Sequence, residues 1–258
     1  MRRHQRGIGA RLGRLSLETI LSWFMKLSLA GIVPYLIIKG LGLLEAGRYP
    51  EAKESFVVAG AAVIALFISL APSLISRSAQ ITLPWLVDFV ITLVLYLHVA
   101  LGGAMGLYYV ELPLPYDKVL HLFSTVMISV LAFMFVFTLY YTRRIRLSLT
   151  FMAIFIIMVA MGLGGIWEIL EWSLDKVAGT SAQTGLDDTM IDMILDLCGG
   201  TIAAIGGTLY ARWSKPKHQR RFAVPLAQLF GYLPRPSRKK EKEQETNEFE
   251  ENSGSDDD

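Results

Sequence analysis

Three aspartates recur every four residues in one apolar stretch of this sequence. Asp188 opens the stretch, and Asp192 and Asp196 lie inside the run 189–212, which is long enough to cross a bilayer. On an α-helix this spacing places the three carboxylates on one face, as a stripe about 12 Å long. A carboxylate inside a membrane costs several kcal/mol unless it is paired, hydrated or bound to a cation. The pattern therefore indicates a functional site.

The first residues of this stripe also have a simpler explanation. Asp187 and Asp188 could cap the start of a helix, where a negative charge interacts favourably with the helix dipole. This explanation is doubtful for Asp192 and fails for Asp196, which lies about two turns farther along the helix.

A second group of polar residues begins an earlier apolar run. Asp117 and His121 are four residues apart and share a helix face, with Lys118 between them. An acid and an imidazole one turn apart could ligate a metal or form an oriented base. The alternative is an interfacial helix start, in which Asp117 interacts with the helix dipole and His121 is hydrogen-bonded to a neighbour.

A third group closes another apolar run. Glu168 and Glu171 lie on one helix face with Asp175, and Gly164 leaves room above the first carboxylate. An exposed helix end explains Asp175 and could explain Glu171. Glu168 lies deeper among apolar neighbours, so a solvated helix end does not account for it.

The elements that position these residues are predicted to be membrane-spanning helices. The sequence is 53% hydrophobic and contains six apolar runs of sufficient length, at 20–44, 54–75, 82–109, 117–141, 148–171 and 189–212. These runs predict an all-α, polytopic transmembrane helix bundle over residues 20–213. A basic segment, 1–19, precedes it, and a juxtamembrane segment, 214–234, and a disordered charged tail, 235–258, follow it. The juxtamembrane segment could lie on the leaflet surface or be unstructured.

Lysine and arginine counts predict the orientation of the bundle. Fourteen of these residues fall on one predicted side, without the charged tail: the five arginines of the N-terminal segment, Arg77, Arg143, Arg144, Arg146, Arg212, Lys215, Lys217, Arg220 and Arg221. Four fall in the loops on the other side: Arg48, Lys53, Lys118 and Lys176. We therefore expect the protein to lie in the plasma membrane, with both termini in the cytoplasm as the positive-inside rule requires. Lys26 and Lys39, inside the first span, are expected to extend toward the membrane surfaces.

This topology brings the three polar groups to the same, outer side of the membrane. The predicted pocket contains seven possible metal ligands: Asp117, His121, Glu168, Glu171, Asp188, Asp192 and Asp196. So many carboxylates cannot all be ionised at close range without a divalent metal, the Lys118 ammonium or protonation to relieve their repulsion. Oxygen ligands with one histidine suit Mg²⁺, Mn²⁺, Zn²⁺ or Ca²⁺.

Other features exclude several classes of protein. The single cysteine, Cys198, rules out an intrachain disulfide and any metal site made of several cysteines. The sequence contains no nucleotide-binding glycine loop and no nucleophile elbow. The expected partners are membrane lipids, and nothing indicates a nucleic acid.

The motifs resemble those of a known family. Asp117-Lys118-x-x-His121, Trp167-Glu168-x-x-Glu171-Trp172 and Asp188-Thr189-x-x-Asp192-Met193 occur in the order found in the YjdF-like family of uncharacterised prokaryotic inner-membrane proteins. The resemblance covers roughly residues 80–212. The Asp-Lys-x-x-His motif, followed by later Glu and Asp, more distantly resembles VanZ-like proteins linked to glycopeptide-antibiotic resistance. Neither resemblance implies a particular reaction.

Three functions are compatible with the sequence. In the first, the outward-facing pocket binds a divalent metal and acts on a lipid-linked or envelope substrate, with His121 and Glu168 as acid/base groups and Lys118 against an anionic head group. In the second, the protein is a proton- or ion-coupled transporter and the carboxylates are protonation sites. In the third, it is a non-catalytic scaffold whose carboxylates are paired internally.

The orientation can be tested by cysteine labelling in intact cells. After replacement of Cys198, single cysteines near residues 48, 114 and 180 should react with a membrane-impermeant reagent, because these loops are predicted to lie outside. Cysteines near 78 and 145 and in the C-terminal tail should be protected. Labelling of the tail from outside would reverse the predicted orientation.

Overall fold

The computed structural model describes residues 17–79 and 83–234, and every regular element in these ranges is helical. The helices are α1 (Leu17–Glu45), α2 (Tyr49–Ala79), α3 (Trp85–Tyr96), α4 (Tyr116–Tyr141), α5 (Leu149–Ala178), α6 (Leu186–Trp213) and α7 (Pro216–Leu229). A π-helical segment, Leu97–Ala104, continues α3 without a break, and a short 3₁₀ turn follows at Leu107–Tyr109. Most of the predicted basic segment, 1–16, and the predicted tail, 235–258, lie outside the described residues.

The predicted fold class is confirmed. Six helices are long and apolar enough to cross a membrane, with α3 and its π-helical continuation counted together as Trp85–Ala104. Their bounds differ from the predicted spans most clearly in α5, which continues to Ala178, about two turns past residue 171. Glu171 and Asp175 make this last part of α5 polar, so hydropathy does not reveal its helical continuation.

Short connections make successive helices antiparallel. The last residues of α1, the π-helical segment and α5 therefore share one end of the bundle with the first residues of α2, α4 and α6; we call this the site end. Lys53 Nζ, at the start of α2, donates to the carbonyl of Gly179, which caps α5, over 2.8 Å. The hydroxyl of Tyr109, after the π-helical segment, donates to Glu54 of α2.

The bundle has two halves that meet along α3 and α4. In the N-terminal half α1 packs against α2 and α3, whereas in the C-terminal half α4, α5 and α6 pack against one another. The halves contact each other mainly where α3 and the π-helical segment pass α4. A Cβ at Gly102, in that segment, would lie 2.4 Å from the ring of Tyr108, and Gly106 turns the chain with a φ of 77°. These glycines let the chain fold back on itself beside α4.

Small residues let α6 approach α4 closely. A Cβ at Gly199 would lie 3.0 Å from the carbonyl oxygen of Leu122, and one at Gly207 would lie 2.6 Å from the ring of Phe133. Close approach of this kind is how membrane helices gain packing contacts, because lipid supplies no hydrophobic drive for their association. The contact sets α6, and with it the aspartate stripe, directly against the start of α4.

The juxtamembrane segment is helical. Ala223, Leu226 and Ala227 of α7 are buried, and Phe222 packs edge-on against Tyr210 of α6 at 5.6 Å between ring centroids. The basic residues of α7 are exposed. Residues 216–229 are therefore not unstructured, because their apolar face packs against the bundle.

The N-terminal half contains a buried ion pair. Lys26 of α1 is only 2% exposed, and its Nζ lies 2.6 Å from Asp88 Oδ1 of α3. The Ser22 hydroxyl donates to the other oxygen of this carboxylate. The sequence analysis predicted that Lys26 extends toward the membrane surface. Instead, Lys26 lies inside the bundle. The pairing holds α1 against α3, because each charge compensates the other in an apolar environment.

Removing one member of this pair should destabilise the protein. Asp88→Asn leaves the buried ammonium uncompensated, which typically costs about 3–5 kcal/mol. The melting temperature of detergent-purified protein, followed by circular dichroism, should fall clearly. The double variant Lys26→Met with Asp88→Asn should recover much of the loss, because no buried charge remains. An unchanged melting temperature for Asp88→Asn would contradict a stabilising role of the pair.

Candidate functional site

The three predicted polar groups meet at the site end of the C-terminal half. α4 carries Asp117, Lys118 and His121; α5 carries Glu168 and Glu171; and α6 carries Asp188, Asp192 and Asp196. We call the seven residues that interact through Lys118 and His121 the carboxylate cluster: Asp117, Lys118, His121, Glu168, Asp188, Asp192 and Asp196. His121, Glu168, Asp192 and Asp196 are all buried. Antiparallel packing thus joins residues that are far apart in sequence.

Lys118 forms the outer part of the cluster. Its Nζ lies 3.0 Å from Asp117 Oδ2 and 2.7 Å from Asp192 Oδ2, and it also donates to Asp188. Asp188 accepts a further bond from the backbone N–H of Thr184, over 3.2 Å. The three carboxylates lie close enough together to hold a metal ion. In this structure the ammonium of Lys118 lies among them and offsets their charge.

His121 forms the inner part. Its Nδ1 faces Asp196 Oδ1 at 3.4 Å, and its Nε2 lies 3.9 Å from both Glu168 Oε1 and Asp192 Oδ2. Possible metal-ligand atoms of His121, Glu168 and Asp192 lie within 4.8 Å of one another, so a single metal ion could bind all three. One carboxylate thus faces one ring nitrogen, and two other carboxylates face the second. That arrangement resembles metal-binding histidines, in which a carboxylate orients the nitrogen that does not bind the metal.

Three buried carboxylate oxygens have no hydrogen-bond partner among the described residues. They are Glu168 Oε1, Asp192 Oδ1 and Asp196 Oδ2. The other oxygen of Asp196 accepts a bond from the hydroxyl of Thr125, and that of Asp192 accepts from Lys118. Because an unpaired buried oxygen loses hydration without compensation, each of these atoms calls for a further proton or cation.

Gly164 determines how deeply Asp196 can lie between the helices. A Cβ at this position of α5 would lie 2.0 Å from Asp196 Oδ2 and 2.7 Å from the carboxyl carbon. No side chain larger than hydrogen fits there without moving the carboxylate. Gly164, one turn before Glu168, therefore makes room for Asp196 of the neighbouring helix α6.

The remaining predicted acids have local partners. Glu171 accepts a bond from Trp167 Nε1 over 2.8 Å on the same helix. Asp175 accepts from the Thr180 hydroxyl and from the backbone N–H groups of Ala182 and Gln183, over 2.6–3.0 Å. Asp175 thus shapes the connection between α5 and α6. Neither residue belongs to the groups whose donor atoms lie close enough for a metal.

A neutral hydrogen-bonded chain borders the cluster. The two ring nitrogens of His98, in the π-helical segment, are hydrogen-bonded to the hydroxyls of Tyr108 (2.9 Å) and Ser124 (3.2 Å). The His98 ring packs on Trp167, with centroids 4.7 Å apart. Burial raises the pKa of Tyr108, so its hydroxyl is protonated at neutral pH. His98 therefore has a hydrogen-bonded packing role here. No sequence signal pointed to Tyr108.

The cluster can bind a positively charged group at depth. Its inner part offers oxygen atoms and one imidazole nitrogen, the ligand types of Mg²⁺, Mn²⁺ and Zn²⁺ sites. Its outer part presents an ammonium that could also contact a negatively charged group. Cation binding and contact with an anion can therefore occur side by side at one end of the bundle.

The fold and this cluster define a polytopic helical membrane protein with a buried carboxylate–histidine cluster. The chain belongs to the family described as "Predicted membrane protein (DUF2238)", whose model matches residues 27–213. The YjdF-like resemblance is compatible with this membership and stays a prediction, and the comparisons do not support the VanZ-like one.

The chain is also similar to an uncharacterized protein of Thermotoga maritima. The two share 31% identity over 107 residues, which is 40% of this chain and 52% of that protein. This chain thus matches about half the length of that relative. No solved structure matches the chain.

The close approach of Gly164 and Asp196 can be tested with one methyl group. Gly164→Ala should push Asp196 out of position and lower the melting temperature, since overpacking of this kind costs about 1–3 kcal/mol. Gly162→Ala, two residues earlier on α5, is the matched control. A Cβ at Gly162 meets nothing within 4 Å. The control should be neutral or stabilising, because alanine favours helices by about 0.5–1 kcal/mol. Equal effects of the two substitutions would contradict the close approach.

Proposed function

We propose that the protein binds a divalent cation through His121, Glu168 and Asp192, and that it acts there on a lipid-linked or envelope substrate. The observation that carries the proposal is the set of unpaired, buried oxygens of Glu168, Asp192 and Asp196 around one imidazole. A cation would compensate all of them at once, which hydrogen bonds from the described residues do not.

The geometry supports separate roles for the four inner residues. Nε2 of His121, with one oxygen each of Glu168 and Asp192, would hold the ion. Asp196 would orient His121 through Nδ1 and would itself be held by Thr125. Such outer partners fix the ring orientation and make the imidazole a better ligand. Asp196 as a direct ligand, predicted from the sequence, remains the alternative.

Lys118 supports a different role for the outer acids. Asp117 and Asp188 were predicted as metal ligands, yet their charge is compensated here by the ammonium that they share with Asp192. We propose that they hold Lys118 in place, where its ammonium could meet a phosphate or carboxylate of a head group. Glu171, which is hydrogen-bonded to Trp167, would add negative charge near the ion without ligating it.

The chemistry that follows is metal-assisted attack on a polar head group. A bound divalent ion lowers the pKa of a coordinated water and polarises a carbonyl or phosphoryl oxygen. Glu168, through the carboxylate oxygen that would not ligate the ion, is the group placed to hold or move a proton beside it. His121, predicted as an acid/base group from the sequence, would be engaged by the ion and by Asp196 in this arrangement. The apolar helices around the cluster exclude bulk water, which strengthens every charge interaction inside it.

We propose that the protein lies in the plasma membrane, with the site end outside the cytoplasm and both termini inside. The asymmetry of lysine and arginine between the loops supports this orientation through the positive-inside rule. A head group in the outer part of that membrane would then reach the cluster without crossing the bilayer. The rival function, a proton- or ion-coupled transporter, uses the same unpaired oxygens as protonation sites and differs in its response to metal.

Metal analysis of the detergent-purified full-length protein tests the proposal. The wild type should retain about one divalent ion per chain, and added ion should raise the melting temperature. Saturation at a hundred times the dissociation constant corresponds to about 2.7 kcal/mol of stabilisation. Asp192→Asn and Glu168→Gln should each abolish this ion-dependent shift, because each removes an anionic ligand. Combining them should not double the loss, since ligands act as a unit.

Asp196→Asn separates the two roles of that residue. If Asp196 orients His121, the variant should bind metal about 10–100-fold more weakly and still bind it. Asp187→Asn is the matched control, because Asp187 is an exposed carboxylate at the start of the same helix. The control should leave binding unchanged. Wild-type protein with no bound metal and no ion-dependent shift would sink the metal proposal, and proton-dependent flux in proteoliposomes would then support the transporter.

A further inference from the structure

A polar cavity lies at the site end in the N-terminal half. Its volume is about 320 Å³, and it is enclosed by α1, α2 and the π-helical segment with the turn that follows. Its polar lining consists of Lys39, Arg48, Glu51, Glu54, Ser55 and Tyr109. None of these residues belongs to the carboxylate cluster, so the cavity is a separate site.

One cation of the cavity has no partner among the described residues. Lys39 makes no ion pair or hydrogen bond within residues 17–79 and 83–234. It lies six residues before Glu45, the last residue of α1, and therefore about 9 Å below the helix end. Lys39 is exposed on a mainly apolar helix. A lysine there is costly unless its ammonium reaches polar surroundings or an anion.

The other charges of the cavity are of both signs and already ordered. The Arg48 guanidinium pairs with Glu51 at 3.0 Å, and the Tyr109 hydroxyl donates to Glu54. Burial and this bond to Glu54 raise the pKa of Tyr109 to about 12, so the hydroxyl keeps its proton. Two carboxylates thus line the same space as two cations.

A serine hydroxyl also borders this space. Ser55 is only 5% exposed and lines the cavity, and its hydroxyl makes no hydrogen bond within the described part of the chain. The hydroxyl oxygen is not among the fully buried atoms, so it is open to the cavity. A ligand with an acceptor oxygen would satisfy it together with Lys39. Leu36, Leu43 and Val58 complete the lining with apolar surface.

We propose that this cavity binds the head group of a zwitterionic phospholipid with a primary ammonium, of the phosphatidylethanolamine type. The phosphate would meet Lys39 and the Ser55 hydroxyl, and the ammonium would meet Glu51 and Glu54. The position suits a lipid, because the cavity lies where the helices leave the apolar part of the membrane.

The lining distinguishes this head group from other lipids. A quaternary ammonium is usually recognised by a cage of aromatic rings, whereas this cavity has one tyrosine and two carboxylates that accept N–H bonds. The two cations and two carboxylates of the lining balance each other, so an anionic head group without an ammonium would leave a net negative charge in the cavity. The charges therefore favour the primary ammonium over choline and over glycerol. The inference does not depend on metal binding at the carboxylate cluster.

Lipid retention tests the inference. Full-length protein is reconstituted in nanodiscs with equal amounts of phosphatidylethanolamine, phosphatidylcholine and phosphatidylglycerol, extracted in detergent, and its retained lipid is measured by mass spectrometry. Phosphatidylethanolamine should be enriched about tenfold, which corresponds to about 1.4 kcal/mol. Lys39→Gln should abolish retention, and Glu51→Gln should shift it toward phosphatidylglycerol. Lys176→Gln removes the same charge from an exposed position at the site end outside the cavity, and it should change nothing.

Several results would overturn the inference. Equal retention of the three lipids would show no head-group recognition, and retention unaffected by Lys39→Gln would show that this lysine merely extends to the membrane surface. Lys39 is exposed and unpaired, so its variant should keep the wild-type melting temperature in detergent without lipid. Displacement of the lipid by millimolar phosphoethanolamine should occur if the head group alone is recognised. Retention of phosphatidylethanolamine by chelator-treated protein separates this site from the metal proposal.

Discussion

Carboxylates buried in a membrane bundle repel one another and lose their hydration, and the C-terminal half is arranged around this constraint. Lys118 compensates the outer carboxylates by lying among Asp117, Asp188 and Asp192. Close packing of α6 against α4 at Gly199 brings these groups within reach of one another. Without the ammonium at the start of α4, the aspartate stripe of α6 would remain in apolar surroundings with little compensation.

The negative charges of the cluster are compensated to different degrees, and this difference determines where a cation could bind. Asp188 has both Lys118 and a backbone N–H, whereas Glu168 and Asp196 each keep a buried oxygen without a partner among the residues that the structure describes. A scaffold whose acids served only to join helices would be expected to pair them all. The inner acids lie around one imidazole, so the unpaired charge is concentrated where a cation would find both oxygen and nitrogen ligands.

The N-terminal half solves the same problem in a different way. Lys26 is buried and pairs with Asp88, whose side chain is 26% exposed and also accepts from the Ser22 hydroxyl. Toward the site end, Lys39 has no such partner among the described residues and lines a cavity. The π-helical segment joins the two halves, since it borders that cavity and also places His98 against Trp167, next to Glu168. Contacts between the cavity and the carboxylate cluster thus pass through one irregular segment.

The sequence by itself determined the helical, six-span fold, because length and hydropathy decide whether a segment crosses a membrane. It also pointed to the acids and the histidine of the cluster, because charges in apolar runs are rare and their spacing defines a helix face. Which charge meets which partner depends on how the helices pack. Tertiary structure alone assigned Lys118 to Asp188 and Asp192, buried Lys26 against Asp88, and used Gly164 to admit Asp196 from another helix. Those contacts join residues on different helices, and the periodicity of a single helix carries no information about its neighbour.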